Sequence, residues 1–185
     1  MRFSWIIALT VTAGTSGIII PEALAAGRGF FEAAPRLENV RTTFNDTQVR
    51  GATYYFTVTI PEDAVESLNE LIIEQRGGFS DIPFLLDETT AFIGTSRDRQ
   101  DKIPLANVSQ SEDKREITAQ FEEPVEPGTT VTLGLKPRRN PRTGGVYLFG
   151  VTASPTANSD HDFYMGVGRL QFYERQRRRP FRTFR

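Results

Sequence analysis

The sequence predicts an all-β fold: an antiparallel, immunoglobulin-like β-sandwich of about 8–9 strands, with a closed β-barrel as the alternative. Three observations carry this expectation. Apolar residues recur with period two in short runs. Turn-forming residues separate those runs roughly every 8–12 positions, the spacing of sandwiches. No long helical pattern follows residue 25, and no internal repeat points to a propeller or β-helix.

The first expected strand covers residues 37–44. The clearest is 53–60, where Tyr54, Phe56, Val58 and Ile60 face one way and Thr57 and Thr59 the other. Pro61 ends it, and Pro61-Glu62-Asp63-Ala64 reads as a turn or one helical turn, with proline and acids at its start. Residues 68–75 fit two periods. Leu68, Leu71 and Ile72 have helical spacing, whereas Leu71, Ile73 and Gln75 alternate, and the β-branched pair Ile72-Ile73 favours a strand. Short runs follow at 82–86 and 90–93. Another, at 103–108, is expected at a sheet edge because Pro104 cannot donate to a ladder. Residues 117–121 and 131–135 alternate cleanly around the turn Glu126-Pro127-Gly128. Residues 146–153 are apolar on both sides, as in a strand buried on both faces or central to its sheet. The last strand is expected at 167–173.

Residues 1–25 read as an export signal. Arg2 supplies the positive start, 5–20 the apolar stretch, and Ala23-Leu24-Ala25 a cleavage site before Ala26. An uncleaved anchor is the competing reading, but the stretch is short for a span and broken by Thr10, Thr12 and Gly14. Removal leaves 160 residues with no other segment apolar enough to span a bilayer, so an exported protein of the periplasm, cell envelope or medium is expected. The expected division is a signal at 1–25, a linker at 26–35, the sandwich at 36–174 and a basic disordered tail at 175–185. There is no cysteine, so packing alone must hold the fold, and thiolate nucleophiles and thiolate metal sites are excluded.

Several phrases resemble a known family. Residues 51–61 (Gly51-Ala52-Thr53-Tyr54-Tyr55-Phe56-Thr57-Val58-Thr59-Ile60-Pro61) and Ile73-Glu74-Gln75-Arg76-Gly77 are of this kind. So are Pro127-Gly128-Thr129-Thr130-Val131, the run 140–151 (Asn140-Pro141-Arg142-Thr143-Gly144-Gly145 onward) and Gly168-Arg169-Leu170-Gln171-Phe172-Tyr173. They resemble exported cyanobacterial proteins known as domain of unknown function 2808. The resemblance covers about residues 36–173 and implies export and domain extent. It implies no reaction, ligand or catalytic residue.

Catalytic constellations are sparse. His161, the single histidine, sits between Asp160 and Asp162 and is the one candidate base for an envelope hydrolase, the alternative function. Its surroundings read as a solvated loop. No G-x-S-x-G elbow is present after residue 25, and neither Asp98 to Asp101 nor Glu112-Asp113 has the pattern of a calcium loop. No catalytic residue, metal site or cofactor is assigned.

Binding chemistry is better represented. Lys136, Arg138, Arg139 and Arg142 lie within seven residues on an expected hairpin connection stiffened by Pro137 and Pro141. Gly144 and Gly145 can turn backbone amides toward an anion. Such a loop suits a glycan, lipid headgroup or acidic protein, and would serve equally as a turn whose arginines pair with the body. That body, 26–174, has a balance of −7, while 175–185 holds six arginines and no acid. In the tail, Arg177, Arg178, Arg179, Phe181 and Phe184 combine charge with rings suited to an anionic surface. An exported protein is not expected to meet nucleic acid. The leading expectation is therefore a non-enzymatic envelope module that binds or scaffolds an acidic partner.

Overall fold

In the computed structural model, which describes residues 31–155 and 161–174, alternation becomes ten strands. They are β1 (Arg36–Thr42), β2 (Tyr54–Thr59), β3 (Leu68–Gly77), β4 (Thr90–Gly94) and β5 (Arg99–Ile103), then β6 (Leu105–Gln110), β7 (Glu116–Val125), β8 (Thr130–Leu135), β9 (Gly145–Ser154) and β10 (Phe163–Phe172). Two antiparallel sheets result, in the orders β1-β2-β8-β4-β5 and β10-β9-β3-β7-β6. They stack as a sandwich, not a closed barrel. The expected leader, the first half of the linker, Asp160 and the basic tail lie outside the described residues.

The core forms because period two puts one side of every strand inward. Tyr54, Phe56 and Val58 of β2 and Val131, Leu133 and Leu135 of β8 meet Leu71 and Ile73 of β3 and Tyr147, Phe149 and Val151 of β9. Phenylalanine dominates the chain's aromatics, and the rings interlock. Phe149 lies 5.7 Å from Phe56 and 6.2 Å from Tyr54, and Phe172 lies 5.4 Å from Tyr147. Each such pair adds about 0.5–1.5 kcal/mol beyond burial.

Two expectations need correction. Residues 82–86 form no strand, because Pro83 fixes its own φ and lacks a donor. Phe84 makes only an isolated bridge to Pro137, and Leu86–Glu88 is a 3-10 turn. Residues 103–108 are not one edge strand but two. The chain turns a corner at Pro104, so β5 ends the first sheet and β6 begins the edge of the second. Strand β9 is central to its sheet, between β10 and β3, as one of the two expected placements has it; on its outward side Gly150 and Ser154 are buried and Leu148 is exposed. The ambiguous stretch 68–75 is strand, with Leu71, Ile73 and Gln75 inward.

Strands β1 and β10 close one flank of the sandwich. Tyr173 accepts a hydrogen bond from the Thr47 amide (2.9 Å) and donates one to Asn45 (2.8 Å), forming a parallel bridge beyond both strands. The loops β1–β2, β3–β4, β6–β7 and β8–β9, together with the end of β10, gather at one pole. The loops β2–β3, β4–β5, β7–β8 and β9–β10 gather at the other.

Candidate functional site

Because β8 and β9 belong to different sheets, residues 136–144 form an arch between sheets instead of the expected hairpin. The arch is fastened at both feet. Near β8, Leu85 donates its amide to Lys136 (2.8 Å) and Arg138 donates its own to Pro83 (2.9 Å). Farther along, the buried Asn140 holds the first loop: its Nδ2 donates to the carbonyls of Phe44 and Asp46, each 2.9 Å away, and its Oδ1 accepts from Tyr54 Oη at 2.9 Å. Burial, with nearby Tyr147, pushes the Tyr54 phenol well above its ordinary range, so it keeps the proton it donates. The sequence reading missed Asn140 as a fastener. Its only local signal is an asparagine before a proline amid arginines.

The expected site residues divide into two groups. Lys136 and Gly144 turn to the chain's own carboxylates. The Lys136 ammonium pairs with Glu88, and the Gly144 amide donates to Glu174 Oε1 at 3.0 Å. Gly145 serves shape: at φ 143°, with a Cβ that would stand 2.7 Å from the Phe79 ring, it admits no larger residue without displacement.

Arg138, Arg139 and Arg142 behave differently. With Ser80, Asp81 and Pro83 they line a groove of about 460 Å³, and none forms an ion pair among the described residues. Arg138 also borders a neighbouring groove of about 690 Å³, walled by Phe84, Leu85, Leu86 and Gln110. Two of the acids nearby are already engaged, while Asp87 and Glu112 line the larger groove beside Arg138. Asp81 accepts from Arg115 at 3.2 Å, and Asp113 is held below the usual carboxylate range by the Ser111 hydroxyl and the Arg115 amide. Three guanidinium groups thus border this groove, with Arg138 and Arg142 exposed and Arg139 half-buried, and planar donors of this kind suit carboxylate or phosphate oxygens.

His161 lies elsewhere, exposed at the turn into β10 at the opposite pole, so the fold does not bring it to the arginine groove. Among the described residues, no three carboxylate or imidazole side chains gather as a metal site requires. Arg177, Arg178, Arg179, Phe181 and Phe184 fall outside the described residues.

Several solved structures share features of this architecture. BslA, a bacterial hydrophobin, is 14% identical with a TM-score of 0.47, over 78% of this chain and 97% of its own. A cohesin module from a Clostridium perfringens family 33 glycoside hydrolase is 15% identical with a TM-score of 0.40, over 76% and 99%. The collagen-binding domain of a Staphylococcus aureus adhesin is 6% identical with a TM-score of 0.37, over 72% and 96%. Comparison with curated proteins finds no match. The family model described as "Protein of unknown function (DUF2808)" matches residues 28–172, a span that takes in every strand of both sheets, and the chain belongs to that family.

Proposed function

We propose that this protein is an exported, non-enzymatic binding module of the cell envelope, whose arginine groove engages an acidic partner. One observation carries the reading: Arg138, Arg139 and Arg142 line a single groove on a braced arch and have no carboxylate partner among the described residues. A solvated surface arginine is ordinary. Three on one short loop repel one another, and an incoming anion relieves that repulsion while it gains charge-assisted hydrogen bonds. The bracing matters too, because a loop held by buried bonds loses little entropy when it binds. Export rests on the first 25 residues.

The test is a triple replacement, Arg138, Arg139 and Arg142 each to Ser, assayed for binding to acidic glycans and acidic phospholipids at low and high salt. The unmodified chain is expected to bind with affinity that falls as salt rises. The triple variant is expected to lose about tenfold or more, since each charge-assisted bond contributes about 1.5–3 kcal/mol. Its melting temperature should hold, because Arg138 and Arg142 are exposed, Arg139 is only half-buried and none of the three forms an ion pair among the described residues. Salt-insensitive binding, or binding that survives the triple replacement, would remove the groove from consideration.

A further inference from the structure

The pole that carries the arginine groove also carries aromatic rings turned to water. Phe79 is 74% exposed, more than any other large apolar side chain among the described residues, and Phe44 and Tyr173 are each 51% exposed. Isolated apolar residues on a surface need no explanation. These three are not isolated. Phe79 lies over Gly145, where β9 leaves the arch. Tyr173 is bonded to Asn45, the residue after Phe44, and the Phe44 carbonyl is held by Asn140 from within the arch. Phe79 is held in place as well: the next residue, Ser80, bonds Gln75 through its carbonyl (2.8 Å) and meets Tyr147 Oη through its hydroxyl (3.3 Å). Rings and arginines thus share one pole, and Phe44 and Phe79 stand on backbone fastened by hydrogen bonds.

We propose that this pole docks on an anionic lipid bilayer, Phe79 and Phe44 entering the headgroup layer while Arg138, Arg139 and Arg142 engage lipid phosphates beside them. The inference rests on the anion-binding reading of the groove and names the partner. A soluble phosphate or other small anion would use the arginines but leave Phe79 and Phe44 uncovered. A bilayer surface uses both, since apolar burial and electrostatic attraction add in interfacial binding. The distribution of charge agrees. Glu88, Asp81 and Glu174 at this pole are engaged by Lys136, Arg115 and the Gly144 amide. Asp46, Asp87, Glu112 and Asp113 also lie on loops of this pole, which is therefore close to neutral. The opposite pole holds Glu62, Asp63, Glu66, Asp98, Glu126 and Asp162 against Arg97 among the described residues, so an anionic surface repels the far end more than the groove end. Beyond Glu174, which leaves from the groove pole, the sequence adds six arginines and no acid.

The experiment uses the full chain with vesicles of phosphatidylglycerol mixed with phosphatidylcholine, vesicles of phosphatidylcholine alone, and soluble polyphosphate. The quantity read is the increment due to phosphatidylglycerol, because the apolar stretch at residues 5–20 would partition into either vesicle. Replacing Phe79 and Phe44 by Ser is expected to lower that increment roughly tenfold and leave polyphosphate binding unchanged. Replacing the three arginines should lower both. In a Trp5→Phe background, Phe79→Trp should shift its emission to the blue when phosphatidylglycerol vesicles are added. Polyphosphate binding without a vesicle increment, an increment that survives loss of both phenylalanines, or unshifted emission would each overturn the membrane proposal and leave the arginine reading intact. Failure to bind either probe would overturn both.

Discussion

Asn140 joins parts of the chain that are far apart in sequence. Its amide reaches carbonyls 96 and 94 residues away, and its oxygen takes the Tyr54 proton. An amide suits the place because it offers two donors and an acceptor without charge. Local pattern shows only an Asn-Pro turn there, since no neighbour in sequence reveals distant carbonyls. Glu70 shows the reverse, a carboxylate where it is not favoured. Partial burial raises its pKa, and the charges of Asp162 and Glu116 raise it further. The native state then binds the proton more tightly than the unfolded chain, so the contribution to stability is present below the unfolded pKa and is lost as pH rises through the folded one. Ionised Glu70 therefore opposes folding at neutral pH. Glu70→Gln is expected to melt higher than the parent at neutral pH, with the gap narrowing as pH falls through the raised folded pKa and closed below about 4.3, the ordinary glutamate value. Thermal melts from acid to neutral pH check this; a gap independent of pH would contradict it.

Between elements, the decisive contact is the flank where β1 meets β10. A Cβ on Gly168 would stand 2.1 Å from Val40 Cγ2, so the absence of a side chain there is what lets the strands approach. Gly168→Ala is expected to destabilise by about 1–3 kcal/mol, the usual cost of overpacking. Adding Val40→Ala should recover part of that loss, and a double-mutant cycle by chemical denaturation measures the coupling. Independent, additive effects would show that the strands do not share this contact. Most strands were legible in sequence because burial on one face forces alternation, as in Tyr54, Phe56 and Val58. Residues 82–86 misled because their apolar side chains are inward-packing loop residues: Ile82 and Phe84 are buried without joining a ladder. The corner at Pro104 was visible as a missing donor, but the change of sheet depends on tertiary pairing that no local signal records.

Across the whole molecule, charge is sorted by pole, and the sequence disclosed only part of this. The arginine cluster could be read from spacing. That Lys136 and Gly144 would be taken up by Glu88 and Glu174, and that Phe44, Phe79 and Tyr173 would stand at the same pole as the groove, depends on which loops the fold gathers together. Removing residues 175–185 is expected to leave thermal unfolding unchanged and to lower retention on anionic vesicles, because each arginine near such a surface contributes about 1 kcal/mol. The dependence on salt should become shallower as well. Equal retention by the shortened chain in a vesicle sedimentation assay would exclude a tail contribution. The pairing of β1 with β10 has one more consequence. The two lie side by side and run in the same direction, bridged in parallel at Asp46 and Tyr173, so the chain enters the domain at one pole and leaves at the other. A pull on its two ends would load this flank in shear along its length, and its contacts would have to yield together instead of peeling apart in turn.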